Sequence, residues 1–552
     1  MRHRSIPHLL VLACLLVGVA LVVPRRNRGT AARPAAASLR PASPATDVIA
    51  PASARLERVV TSRDERDHLV AEKLLARLST TLAREQGRPN EAMLTFKDAD
   101  AYRRFLARAA ASGLEVLDRL DRLQSVRVRY DSLNALAADL ANHTDDYGDL
   151  DANYFVYPPE VPQSEPRMGG KPVPIGNGLL ETLGVTGDTS KWGAGVTIAV
   201  LDSGAAADAT FGTNRLRHLD VGLGVTPMPE DGHGTAVASL AGGMDGDAVG
   251  LAPGANLLSI RVTAEDGLSD SFTLSRAIIA AADAGAQIVN VSLGSYADSN
   301  VMARAIDYAT SRSVLVVASA GNDQAGQLTW PAANPSVISV GAVDATEQQV
   351  FFSNSGDQLQ ITAPGYGLQT AWLNNQRVLI DGTSASAPIV AGAIAAMMTQ
   401  NPGTNAAQAW DILRSHASDG GAVGRDPNFG NGILNLGWAM NRNNFNRIDT
   451  AVSSQFLDPA ALEMQFVVQN RSAQGVAGLV LNVNAGQADR KFSVPPLGPG
   501  ATFAVHVPVD YAALQNAGRL DYRTQLVNPS GMIDAVPANN QRANTISFIK
   551  PQ

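Results

Sequence analysis

The feature that most constrains the fold is an alternation of short apolar strands with helical stretches between residues 171 and 444. Strand patterns such as residues 196–201 and 314–318 are followed by helical patterns such as residues 270–284 and 384–399. Parallel strands need crossover connections long enough to hold a helix, so this order predicts a three-layer α/β domain with a mostly parallel sheet. Such sheets place their ligand crevice at the carboxyl ends of the strands.

A smaller folded block precedes this region, within residues 55–160. It opens with a charged amphipathic helix pattern over residues 56–82, and shorter patterns follow in the order β-α-β-β-α-β. This order is typical of a small ferredoxin-like α+β unit. The strands are expected at residues 92–96, 114–118, 126–130 and 152–156, and the helices at residues 99–111 and 133–142.

Residues 446–552 contain short strands of alternating polar and apolar residues, separated by turns. The pattern predicts an all-β, Ig-like sandwich. No cluster of catalytic residue types stands in it, so a spacer, a substrate-holding module and a surface contact are open alternatives. The strands are expected at residues 463–469, 478–483, 502–507, 522–527 and 545–549.

The N-terminal residues 1–28 carry the signature of an export signal. Basic residues precede an unbroken apolar run of 15 residues at positions 9–23. This length fits a cleaved signal peptide or an N-terminal membrane anchor, and both export the rest of the chain. We therefore expect a secreted, periplasmic or membrane-anchored protein. The Ala/Pro/Ser-rich residues 29–54 lack hydrophobic periodicity and are expected to form a linker.

Charge and cysteine content exclude several classes of function. Lys and Arg number 44 against 51 Asp and Glu, which gives a net charge of −7. No basic surplus exists to neutralise a nucleic-acid backbone, so nucleic-acid binding is not expected. The single cysteine, Cys14, lies in the N-terminal apolar run. The folded part therefore has no disulfide, zinc-cysteine cluster or cysteine nucleophile.

Three segments of the α/β region place a reactive side chain at the end of an apolar element. A buried strand ends at Asp202, and His233 lies between two glycines at the start of a small-residue helix. Ser384 follows a Gly-Thr turn that opens another helix. The three segments are VTIAVLDSG at residues 196–204, DGHGTAVASLAGG at residues 231–243 and DGTSASAPIVAG at residues 381–392.

Each of these residues also has a structural interpretation. Asp202 could cap a helix or bind a turn, and Ser384 could be an ordinary N-cap with Ser386 as a rival hydroxyl. Two features favour a functional role. The glycines beside His233 permit close approach of another backbone. Pro388 stands inside the helix after Ser384, where it removes a hydrogen bond and bends the axis, which a plain cap does not need.

Together, the three segments resemble the signatures of the subtilisin family of serine proteases, whose triad runs in the order Asp, His, Ser. The matching motifs are Asp-Ser-Gly at residues 202–204, His-Gly-Thr at residues 233–235 and Gly-Thr-Ser-Ala-Ser-Ala-Pro at residues 382–388. The resemblance covers about residues 171–444. It implies a subtilisin-like fold in which Asp202, His233 and Ser384 form the catalytic triad.

The resemblance also assigns residues around the reacting bond. A strand that ends in Ala-Gly-Asn implies that Asn322 is the side-chain donor of the oxyanion hole. Ser292, Leu293 and Gly294 match the strand that lines the primary specificity pocket, and Asp323 falls near its rim. An apolar substrate preference is the default expectation, because no acidic cluster supports strict Arg or Lys specificity.

Two positions depart from the family pattern. The family usually has a second histidine close after the His-Gly-Thr motif and a methionine directly after the nucleophile, where this chain has Ala236 and Ala385. Neither position carries the proton transfer. The departures therefore bear on local packing and pocket shape rather than on the class of chemistry.

The implied activity is that of an exported serine endopeptidase that forms an acyl-enzyme with protein or peptide substrates. Residues 55–160 resemble the family's propeptide, which acts as a folding chaperone and intramolecular inhibitor. Self-cleavage of this zymogen would then fall within residues 157–170, without a choice among the bonds. The last strand of the block leads into this stretch, which is rich in proline and polar residues.

No metal or cofactor is required for this chemistry. Calcium is common in the family, and Asp245 and Asp247 in a glycine-rich loop offer oxygen ligands for a structural ion. The alternative interpretation of these two carboxylates is a solvated turn. The sequence therefore does not establish a calcium site.

Two other functions fit the sequence less well than proteolysis does. A non-catalytic peptide-binding or adhesion protein on the same scaffold would not need a triad and an oxyanion donor together. An esterase on an α/β-hydrolase fold is excluded by the order of the three residues and by the absence of a Gly-x-Ser-x-Gly elbow.

Overall fold

The computed structural model describes residues 75–76, 78–80, 86–161, 171–223, 231–458, 460–485 and 488–547. The expected export segment of residues 1–28, the linker of residues 29–54 and most of the helical pattern at residues 56–82 lie outside the described residues. Within that pattern, Leu75 and Leu78 are helical and buried.

Among the described residues, no helix has the length and apolar character that crossing a bilayer requires.

The N-terminal block, residues 87–156, follows the β-α-β-β-α-β order that the sequence predicts. Its elements are β1 (Gly87–Phe96), α1 (Ala99–Arg108), β2 (Leu114–Leu120), β3 (Ser125–Tyr130), α2 (Leu133–Asn142) and β4 (Tyr147–Val156). The four strands form an antiparallel sheet in the order β2-β3-β1-β4. The rings of Phe96, Phe105 and Tyr147 pack in its core, with the Phe96 centroid 4.7 Å from Phe105 and 5.2 Å from Tyr147.

The central sheet has seven strands, and every pair of neighbours in it is parallel. The strands are β5 (Thr197–Asp202), β6 (Leu216–His218), β7 (Asn256–Arg261), β9 (Ile288–Val291), β10 (Leu315–Ser319), β11 (Val337–Val343) and β12 (Ile361–Pro364). Their order is β12-β11-β10-β9-β5-β7-β6. After β5 the chain forms β6 and β7 on one side of β5, and it then crosses to β9 on the other side and runs outward through β10, β11 and β12. A crevice is therefore expected outside the carboxyl ends of β5 and β9.

Helices cover both faces of this sheet. The described helices of the region are α3 (Leu179–Thr182), α4 (His233–Gly242), α5 (Ser271–Asp283), α6 (Asn300–Ser311), α7 (Thr383–Gln400), α8 (Ala406–Ser415) and α9 (Leu436–Asn441). Along β5, Ile198 and Val200 join the apolar core with α4 and α7, whereas Ala199 and Leu201 join the core with α5 and α6. The predicted three-layer α/β arrangement with a parallel sheet is confirmed.

Two small elements complete the region. The hairpin of β13 (Leu368–Ala371) and β14 (Arg377–Ile380) stands apart from the central sheet. The two-residue strand β8 (Ser269–Asp270) pairs antiparallel with β4, with Phe155 opposite Asp270 and Val156 opposite Ser269. The sheet of the N-terminal block therefore continues into the α/β region.

The C-terminal region has two four-stranded antiparallel sheets. The first contains β15 (Thr450–Val452), β16 (Phe456–Asp458), β17 (Glu463–Asn470) and β20 (Thr502–Pro508), and the second contains β18 (Val480–Ala485), β19 (Ala488–Ser493), β21 (Arg519–Val527) and β22 (Gln541–Ser547). Side chains of both sheets, among them Phe466 and Tyr522, share one apolar core. The sequence did not predict β15, β16, β19 or the short helix α10 (Tyr511–Ala517).

Candidate active site

Asp202 and His233 meet at the carboxyl end of β5. The Asp202 side chain is buried, and its Oδ1 lies 2.7 Å from Nδ1 of His233. A carboxylate can only accept, so Nδ1 carries the proton and Nε2 is left as the basic nitrogen. The second carboxylate oxygen, Oδ2, is also buried and has no hydrogen-bond partner among the described residues. Its charge is therefore available to stabilise a protonated imidazole.

A second carboxylate fixes the start of α4. Oδ1 of Asp231 accepts from the Ser203 hydroxyl at 2.6 Å and from the backbone N–H of His233 at 2.9 Å. Ser203 in turn accepts from the N–H of Gly234 at 3.1 Å. A Cβ at Gly234 would lie 2.2 Å from the carbonyl oxygen of Gly204, so this position admits only glycine. The expected close approach of another backbone beside the histidine is confirmed.

The surroundings of His233 raise its pKa. Burial opposes the charged form and is the largest single influence, but the charge and hydrogen bond of Asp202, with the charge of Asp231, outweigh it. The imidazole is therefore a stronger base than a free histidine. A raised pKa suits a group that must accept a proton from a hydroxyl.

Ser384 lies in the first turn of α7 and is buried. The described residues include no hydrogen-bond partner for its Oγ. The rival hydroxyl of Ser386 is engaged elsewhere, since it lies 3.2 Å from the carbonyl oxygen of Ala363 and 3.0 Å from that of Pro364. The geometry therefore favours Ser384 as the available hydroxyl.

Pro388 explains a link between α7 and the neighbouring strand. Proline at this position removes the N–H that would bond the carbonyl of Ser384 four residues earlier. The freed carbonyl accepts a hydrogen bond from Oγ of Ser292 at 3.0 Å, and Ser292 itself accepts from Nδ2 of Asn290 at 3.0 Å. The side chain of Ser292 therefore holds the helix that carries Ser384 and does not face a substrate.

Asn322 is oriented by the residue before the proposed nucleophile. Its Oδ1 accepts from the N–H and from the hydroxyl of Thr383, each at 2.9 Å. Nδ2 is then free to donate, and it donates to the carbonyl oxygen of Pro159 at 2.9 Å. A Cβ at Gly382 would lie 2.9 Å from Ser384 Oγ and 3.0 Å from Asn322 Nδ2, so this glycine keeps open the space between them.

Gly294 is the member of the expected substrate-binding strand that contacts another chain segment through its backbone. It exchanges two hydrogen bonds with Tyr157, of 3.0 and 2.9 Å. The side chain of Leu293 is buried in the core of the α/β region. Asp323 is exposed and accepts from the hydroxyl of Tyr296 at 2.7 Å. Of these expected substrate-binding residues, Gly294 is the one whose backbone pairs with another chain segment, which is the role that the resemblance implies.

The expected calcium ligands lie in a different environment. Arg377 donates to Oδ2 of Asp245 at 2.6 Å and contacts both oxygens of Asp208 at 3.1 and 3.2 Å. The hydrogen bond from Arg377 lowers the pKa of Asp245, while Asp247 contributes its carbonyl to Gln369. A guanidinium therefore neutralises Asp245, and the residues do not offer two free carboxylates for a calcium ion. The described residues also include no group of three or more metal-ligating side chains.

Sequence reasoning did not find Asp231 or Thr383 as functional residues. Both residues lie inside the motifs that contain His233 and Ser384. The only sequence signal for them was therefore that they are close neighbours of these two residues. Their roles depend on hydrogen bonds to residues distant in sequence, such as Ser203 and Asn322.

Comparisons with known proteins identify the family of the α/β region. The model of the subtilase family matches residues 193–432. Subtilisin Savinase of Lederbergia lenta is 32% identical over 247 residues, which cover 44% of this chain and 90% of Savinase. Subtilisin DY of Bacillus licheniformis is 30% identical over 279 residues, which cover 48% of this chain and 97% of that protein.

A solved structure is similar in fold over a larger share of this chain. Fervidolysin from Fervidobacterium pennivorans, described as a keratinolytic enzyme related to subtilisin, superposes with a TM-score of 0.55 at 20% identity. The match covers 84% of this chain and 76% of fervidolysin. The subtilisin-like fold expected from the sequence is thus confirmed. The chain belongs to the subtilase family and is a subtilisin-like serine protease.

Proposed function

We propose that this protein is an endopeptidase that uses Ser384 as nucleophile, His233 as general base and Asp202 as the group that orients the imidazole. The observation that carries the proposal is the carbonyl of Pro159, which accepts a hydrogen bond from Asn322 beside these residues. A peptide carbonyl therefore already lies at the proposed oxyanion donor.

The reaction uses groups of this chain alone. Ser384 Oγ attacks the carbonyl carbon as Nε2 of His233 takes its proton, and Asp202 stabilises the imidazolium through Nδ1. His233 then gives the proton to the leaving amine, which leaves an acyl ester on Ser384. Water hydrolyses the ester by the same proton route. Acyl transfer by this triad needs no metal, so we propose that catalysis requires no cofactor.

Two donors would stabilise the tetrahedral oxyanion. Asn322 supplies Nδ2, which Thr383 keeps aimed at the cleft. The backbone N–H of Ser384, in the first turn of α7, supplies the second donor at the positive end of the helix dipole. Donors that are fixed before the reaction cost no reorganisation when charge develops, and one such donor typically contributes about 10²–10³ in rate.

We also propose that the N-terminal block is the propeptide and the intramolecular inhibitor. Its last strand, β4, pairs with β8, and the chain that follows pairs with Gly294 in the cleft. Oδ1 of Asn153 accepts from the N–H of Phe272 at 3.2 Å, and Oδ2 of Asp151 accepts from the N–H of Asn300 at 3.3 Å. Both donors lie at the N-termini of helices, α5 and α6, whose first N–H groups lack partners within the helix.

Ion pairs add to this contact. Arg88 and Arg127 of the N-terminal block lie 2.7 and 3.4 Å from Oδ2 of Asp270, a carboxylate that is only 3% exposed. Because water screens a buried carboxylate less, removal of one of its cationic partners costs more than the loss of a surface pair. The inhibitor would therefore remain bound after the connection is cut.

The C-terminal region is fixed to the α/β region. Arg542 pairs with Glu347, and Gln465 donates to the carbonyl of Gly421 at 3.2 Å. We propose that this region is an Ig-like sandwich that acts as a spacer, holds substrate or supplies a surface contact. The proposed location is outside the cytoplasm, with residues 1–28 as signal peptide or anchor.

Replacement of the proposed nucleophile is the direct test of catalysis. We expect Ser384→Ala to abolish labelling by a fluorophosphonate and to lower kcat at least about 10³-fold, because the acyl-enzyme cannot form. Ser386→Ala is the matched control, since it removes a neighbouring hydroxyl with structural partners and should keep labelling. Equal labelling of Ser384→Ala and the wild type, or none of either, would contradict the proposed nucleophile.

The pH profile tests the proposed base. Because the pKa of His233 is raised above its ordinary value of 6.5, kcat/KM of the active enzyme should fall as the pH drops through this raised pKa. Asp202→Asn removes the main raising charge, so the acid limb should move to lower pH while kcat falls about 10⁴-fold. Asp231→Asn should move the limb less. An acid limb that Asp202→Asn leaves in place would exclude His233 as the titrating base.

The inhibitor contact is tested by two arginines of one strand. Arg127→Ala should weaken the bound propeptide by about 1–2 kcal/mol, roughly 5- to 30-fold, and shorten the lag before activity appears on dilution. Arg129→Ala is the control, because Arg129 pairs with Glu115 inside the N-terminal block at 3.0 Å. The same lag for both variants would argue against Asp270 as an anchor of the inhibitor.

A further inference from the structure

The chain that follows the N-terminal block, residues 157–161, passes through the candidate active site. Tyr157 exchanges hydrogen bonds with Gly294, and the next carbonyl but one, that of Pro159, accepts from Asn322 at 2.9 Å. Two residues of extended chain span roughly 6.6 Å. One continuous peptide thus connects the binding strand with the oxyanion donor.

The strand is fixed on both sides of Pro159. Before it, Val156 lies opposite Ser269 in the pairing of β4 with β8. After it, Val161 packs against an apolar cluster that includes Val350 and Phe352. With contacts on either side, the register of the peptide cannot slip by a residue without breaking one of them.

We infer that the protease cleaves its own chain between Pro159 and Glu160, an inference that rests on the proposed function. Ser384 Oγ attacks the carbonyl carbon of Pro159, and His233 takes the hydroxyl proton. The bond from this carbon to the nitrogen of Glu160 breaks, and His233 protonates the new amine. Water then hydrolyses the ester, which leaves a carboxylate on Pro159 and restores the hydroxyl of Ser384.

The neighbouring bonds fit the site less well. The carbonyl of Tyr157 is occupied by the N–H of Gly294 at 2.9 Å. The bond after Pro158 is a tertiary amide, whose nitrogen belongs to the ring of Pro159. The carbonyl of Glu160 lies one residue, about 3.3 Å of chain, beyond the residue that contacts Asn322.

The test is mass spectrometry of the full chain beside its Ser384→Ala form, with hydrolysis of a peptide library measured in parallel. We expect a first fragment that ends at Pro159 and a partner that starts at position 160, in the active form only. Asn322→Ala should slow this cut about 10²–10³-fold, because it removes one oxyanion donor.

Two variants at position 160 test the assignment of the bond. Glu160→Pro makes the bond a tertiary amide and should lower the rate of this cut at least 100-fold, about 2.7 kcal/mol. Glu160→Ala, which keeps an ordinary amide, should still be cut there. If the wild type hydrolyses peptides but its first cut falls at another bond, and Glu160→Pro does not slow that cut, the bond assignment is wrong. The proposed protease activity would still hold. If the wild type neither cuts itself nor hydrolyses peptides, both proposals fail.

Discussion

The buried contact between Asp202 and His233 sets the conditions that the rest of the site must meet. A carboxylate without solvent is stable only beside a cationic or donating partner, and the imidazole supplies one. The contact requires α4 to begin at the end of β5, and the glycine after the histidine allows this approach. In the central sheet β9 pairs with β5, and residues 292–294, the proposed substrate-binding strand, directly follow β9.

Ser384, the proposed nucleophile, is linked to Ser292 of the proposed substrate-binding strand by a hydrogen bond outside its own helix. Pro388 leaves the carbonyl of Ser384 without its usual partner, and the hydroxyl of Ser292 replaces it. A bond that would lie inside α7 is thus exchanged for one between two elements. The segment of Ser384 is therefore linked to the segment that leads to Gly294, and the proposed attack on a paired peptide depends on the relative position of the two.

Local sequence patterns identified the three candidate catalytic residues. Asp202 at a strand end, His233 between glycines and Ser384 before a proline-containing helix were identified in this way, and the alternation of strands and helices predicted the three layers. The Arg377 contact to Asp245 was missed because the two residues are 132 positions apart and no local pattern connects them. The register of Pro159 at Asn322 depends on 163 positions of intervening chain and was likewise beyond local reasoning.

If the N-terminal block is the inhibitor proposed above, its pairing through β4 and β8 makes inhibition depend on concentration. While the chain is intact, the strand proposed to block the cleft is tethered, and a short connection gives an effective concentration in roughly the millimolar range. Once that connection is cut, the same contacts belong to two separate molecules, and their occupancy obeys mass action. Cleavage alone then changes little in the cleft, whereas dilution of the two fragments shifts the equilibrium towards a free cleft.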